Sequence, residues 1–77
     1  MAAIVYFRKV CETEEHVEYE FGDDPGRFGR RLTVDRASRS STVHDALVDH
    51  TFLKASQKLN SLYAERGVWP ERGMSVS

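Results

Sequence analysis

From His16 to Phe21 the chain alternates without a break, with Val17, Tyr19 and Phe21 on one side and His16, Glu18 and Glu20 on the other. A repeat of two belongs to extended backbone, where successive side chains leave opposite faces. It predicts a strand with one buried and one wet face. Such a strand is not stable alone: it must pair with neighbours and be covered by a second layer.

The neighbours lie on either side in sequence. Residues 3–10, Ala-Ile-Val-Tyr-Phe-Arg-Lys-Val, are β-branched and aromatic and predict a first strand. Both of its faces are apolar. Either Ile4 and Tyr6 or Val5 and Phe7 enter the core, and the other pair is left over. Cys11 to Glu15 reads as a connection. Gly22-Asp23-Asp24-Pro25-Gly26 concentrates turn formers, so the chain reverses there. A third alternating run covers Arg30 to Arg36, with Leu32 and Val34 inward and Arg31, Thr33 and Asp35 outward. Three strands with short connections predict an antiparallel meander.

The periodicity then changes. Ala37 to Thr42 is polar and reads as a loop, and Thr42 or Asp45 is a candidate cap for a short turn through Ala46-Leu47-Val48. Phe52, Ala55, Leu59, Leu62 and Tyr63 recur at three- and four-residue intervals and form one helical stripe. Asp49 or Thr51 is placed to cap its start. Gly67 stands where a left-handed residue ends a helix, Arg66 suits the negative helix end, and Pro70 blocks continuation. Trp69 is expected to fold back onto a core made of Val17, Tyr19, Phe21, Leu32, Val34, Phe52, Leu59 and Leu62. The expected fold is α+β: a two-layer β-β-β-α domain, with a three-stranded antiparallel meander packed against one C-terminal helix. It spans residues 1–72, and residues 73–77 form a flexible C-terminal tail.

Composition narrows the function classes. In 77 residues, 11 Lys+Arg stand against 12 Asp+Glu, a net charge of −1. The charge is segregated: residues 1–25 hold two basic and seven acidic side chains, and residues 26–42 hold five basic and one acidic. Cys11 is single, so no intrachain disulfide forms, which fits a reducing compartment. Its neighbours Glu12, Glu14 and Glu15 are poor surroundings for a reactive thiol. Arg8 and Lys9 interrupt the first apolar run before it reaches signal-peptide length, and no run approaches the ~20 apolar residues of a membrane span. A cytoplasmic location is expected.

The chain contains no Gly-rich phosphate loop, serine elbow or paired-cysteine metal signature. His44-Asp45 and Asp49-His50 form a near-mirror pair, but residues six apart do not converge on one helix face, so the segment reads as solvated. No catalytic residue, metal, cofactor or small-molecule substrate is expected.

Two readings remain. The segregated charge, the small core and the spare apolar face point to a non-enzymatic interaction module that binds another protein or itself, most simply as a homodimer. Its expected contacts are apolar Val5, Tyr6 and Phe7 with a charged rim of Glu18, Glu20, Arg31 and Arg36, and the first strand is available for edge-to-edge pairing. The alternative is a nucleic-acid-binding regulator using Arg27, Arg30, Arg31, Arg36 and Arg39 on a sheet face. In element order alone, three strands and a helix resemble plant and integrase N-terminal DNA-binding domains that lay such a sheet in DNA. Glu18 and Glu20 on the same face oppose phosphate and offer the arginines cross-strand partners instead.

Overall fold

The computed structural model describes residues 4–24 and 26–76. Pro25 of the expected turn, residues 1–3 at the start of the expected domain and Ser77 of the expected tail lie outside the described residues. The elements are β1 (Ile4–Glu12), β2 (His16–Gly22), β3 (Arg30–Asp35), β4 (Ser41–Val43), α1 (His50–Arg66) and β5 (Arg72–Val76). They form one sheet in the order β4-β3-β2-β1-β5, antiparallel at every pairing. It follows that β4 and β5 run in the same direction at opposite edges, and α1 carries the chain between them. No helix among the described residues is long and apolar enough to cross a membrane.

The alternation of β2 sets the core. Val17, Tyr19 and Phe21 are fully buried, and Leu32 and Val34 of β3 lie beside Tyr19 and Val17 in register. Phe52, Ala55, Leu59 and Leu62 of α1 cover this face. β1 resolves its two apolar faces by sending Val5 and Phe7 inward, with Phe7 meeting Tyr19 edge to face at 5.8 Å. Ile4 and Tyr6 are therefore left on the uncovered side and only half buried.

The helix ends as its sequence dictates. Asp49 caps the start, its side chain accepting from the Phe52 amide, and Gly67 ends it at φ 74°, with its amide donating to the Tyr63 carbonyl. Trp69 folds back, buried and stacked on Tyr63 at 4.3 Å between ring centres. The Tyr19 hydroxyl donates to the Pro70 carbonyl, pinning the turn that leads from α1 into β5. Burial pushes the Tyr19 phenol above its usual range, and the carboxylates of Glu12 and Glu71 add to the shift.

The α+β class stands, and the finer architecture is corrected. Among the described residues the sheet has five strands rather than three, and the helix lies mid-chain rather than at the end. β4 occupies part of the stretch read as a loop. Three residues are too few to show a period, and the strand is defined by its pairing, with Ser41, Thr42 and Val43 opposite Val34, Thr33 and Leu32. β5 occupies residues read as a tail: Gly73 to Val76 pair with Phe7 back to Ile4. β1 is consequently an inner strand between β2 and β5, not an edge.

Candidate functional site

With α1 on one face of the sheet, the other face is left open, and the strand register arranges it in rows. One row crosses Arg72, Arg8, Glu20 and Arg31. The next crosses Met74, Tyr6 and Gly22, and the last pairs Val76 with Ile4. Two of its arginines are paired: Arg8 Nε donates to Glu20 Oε1 within the row at 2.6 Å, and Arg31 Nη1 donates to Glu18 Oε2 of the adjacent row at 3.0 Å. Arg72 has no carboxylate partner among the described residues.

The opposite end of this face is apolar. Met74 is 51% exposed and Val76 61% exposed, each beside a half-buried neighbour on β1, Tyr6 and Ile4 respectively. Phe28, from the loop before β3, completes the patch and lies 5.1 Å beneath the Arg8 guanidinium. Tyr6, Phe7, Arg8, Phe28, Arg72, Gly73 and Met74 line a shallow groove of about 310 Å³. On the helix side of the same strand pair, a Cβ at Gly73 would stand 2.8 Å from Cζ of Phe7. Only a residue without a side chain lets β5 close over that ring.

The arginines expected to contact nucleic acid are dispersed. Arg31 stands on the open face in its pair with Glu18. Arg30, its neighbour on β3, turns to the helix side. It binds Asp45 at 2.8 Å, both Asp49 oxygens at 2.9 Å and the Leu47 carbonyl at 2.7 Å, and lies over Phe21. Hydrogen bonding to Arg30 holds the Asp45 and Asp49 carboxyls below the usual range, and the two carboxylates raise Arg30 in turn. Arg36 donates to the Thr13 carbonyl at 2.6 Å, beyond the end of β1 that lies farthest from Tyr6. Arg39, at φ 61°, lies over Tyr63 of α1. Arg27 is exposed in the turn before β3, its amide bound to the Asp24 carbonyl at 3.0 Å.

Of the residues expected to meet a partner, Tyr6, Glu18, Glu20 and Arg31 share the open face. Val5 and Phe7 are corrected: they are 3% and 1% exposed, facing the helix, and cannot touch a partner without unfolding the core. Arg36 stands apart from the apolar patch. Ile4 was expected either in the core or on the spare face, and Phe28, Met74 and Val76 carried no expectation of contact. Met74 and Val76 carried a weak signal, since they alternate with Gly73 and Ser75.

The mirror pair of histidines does not assemble. The His44 ring bonds Thr33 Oγ1 at 2.6 Å, Asp45 and Asp49 are taken by Arg30, and His50 opens the helix in solvent. Comparison with protein-family models, with curated proteins and with solved structures returns no match.

Proposed function

We propose that this chain is a small, cytoplasmic, non-enzymatic binding module that associates with a second copy of itself through the apolar end of its open sheet face. The observation that carries this reading is the contiguous group Ile4, Tyr6, Phe28, Met74 and Val76, held half-buried or exposed on a face that α1 does not cover. Clustered apolar surface of this kind in a chain of 77 residues is costly to leave in water and marks an association site. Arg8–Glu20 and Arg31–Glu18 border this patch as exposed ion pairs on the same face.

Arg30, Arg31 and Arg36 are already bonded to carboxylates or carbonyls, and the five arginines point in several directions, which disfavours a phosphate-tracking surface. The test is sedimentation equilibrium of the full chain over a wide concentration range, alone and with a random-sequence DNA duplex at low and physiological salt. A concentration-dependent dimer that ignores DNA and is weakened at least tenfold by Tyr6→Lys is the expected result. Monomer throughout would overturn the reading. A complex with DNA whose affinity falls steeply with salt would replace it with the arginine-based alternative.

A further inference from the structure

We infer that the contact between two copies is made strand to strand: β5 pairs antiparallel with β5 of a second copy, with Met74 opposite Met74. This rests on the self-association reading and goes beyond it by naming the edge and the register.

The backbone alternation decides which groups are free. The Lys9 amide donates to the Glu71 carbonyl at 2.7 Å, and the paired residues run from Arg8↔Arg72 to Ile4↔Val76. In an antiparallel ladder bonded and non-bonded pairs alternate. Phe7–Gly73 and Val5–Ser75 are therefore bonded pairs, so the amides and carbonyls of Arg72, Met74 and Val76 point away from β1. The sheet ends there, and β5 has no second neighbour among the described residues. Natural edges are blunted by charge, proline, bulges or a covering segment. Here the only such device within β5 is Arg72, at its beginning, and the strand goes on to Met74 and Val76, both exposed.

The occupant follows from the strand's self-complementarity. Bonded pairs form only between residues with outward groups, so the register shifts in steps of two. Full overlap sets Arg72 opposite Val76 and Met74 opposite Met74, giving three bonded pairs in a closed two-fold arrangement. At 3.3–3.4 Å per residue it separates the two Arg72 positions by about 13 Å, beyond the ~8 Å screening length. A step one way keeps two bonded pairs and brings those arginines to about 7 Å; a step the other way also leaves two. Overlap and charge thus select the same register. In it the Tyr6–Met74 row of one copy continues into the Met74–Tyr6 row of the other, and the Arg72 stem lies along Val76 and Ile4 of the second copy. A five-residue edge is smaller than a standard interface, so the dimer is weak and concentration-dependent.

The test uses the full chain in a Cys11→Ser background, which removes the exposed native thiol. Met74→Cys is expected to oxidise to a covalent dimer, because opposed residues in a bonded pair lie about 5.5 Å apart at Cα, within disulfide reach. Arg72→Cys and Val76→Cys are each expected to stay monomeric alone and to cross-link when mixed. In the wild-type background, Met74→Pro removes an amide that β1 does not use, so circular dichroism should be unchanged while the dissociation constant rises at least tenfold. If the wild type dimerises but Met74→Cys does not cross-link and Met74→Pro dimerises as tightly, the edge pairing is overturned and self-association stands on another face. If the wild type is monomeric throughout, both fall.

Discussion

The two edges of the sheet are built differently. β4 has three residues and is tied down at both ends: Ser41 Oγ bonds Ser56 Oγ of α1 at 2.7 Å, and the ring of His44, just after the strand, bonds Thr33. Ala46, at φ 61°, turns the chain away, and Arg30 ties Asp45, Leu47 and Asp49 across the exit. β5 has five residues and carries no comparable closure among the described residues, only a guanidinium at its first position. An edge becomes inert when local polar groups bend and cover it, and stays adhesive when the strand runs on flat and apolar. The asymmetry also favours a closed dimer: with only β5 free, copies pair edge to like edge and do not extend into a filament.

The largest expected effect removes the support under the open edge. The Phe7 ring lies beneath Gly73 and against Tyr19. Phe7→Ala should cost about 3–5 kcal/mol in urea denaturation, by lost burial and the cavity left behind. In a domain this small that is a large part of the stability, and β5 should lose order before β2 in hydrogen exchange.

A smaller effect acts at the closed edge. Asp45 and Asp49 titrate below their usual range because of Arg30, and a carboxyl with a depressed folded-state pKa adds stability above its unfolded value, near 3.9, that is lost as pH falls through the folded value. Acid should therefore loosen the β4 exit from about pH 5 downward. Arg30→Met should flatten that part of the stability–pH curve and leave the dimer at neutral pH unchanged. A curve as steep as the wild type's would show that Arg30 does not set it.

The smallest effect belongs to the charged row. Arg31→Ala removes an exposed pair with Glu18 and should change monomer stability by no more than ~0.5 kcal/mol. A loss several times larger would mean that the row helps to hold the sheet together.

The parts of the fold legible in the sequence are those with several repeats of one period. The alternations of β2 and β3 and the stripe of α1 each span enough residues to declare a buried face, and all nine side chains assigned to the core are buried. β4 and β5 were illegible for a physical reason: each is defined by what it pairs with, and pairing is non-local. The same limit governed the site. Both faces of β1 are apolar, so its inward side was settled only by the register with β2 and by the fit of Phe7 under Gly73. That choice left Tyr6 on the open face and removed Val5 and Phe7 from it. The edge expected at β1 passed to β5.

The most direct measurement is amide hydrogen exchange at Met74 and Val76 in dilute and concentrated samples, with β4's Ser41 and Val43, whose amides face away from β3, as the reference edge. Protection at Met74 and Val76 that grows with protein concentration, while Ser41 and Val43 stay unchanged, is the expected result. Equal exchange at both concentrations, up to about millimolar protein, would contradict an edge used for self-association.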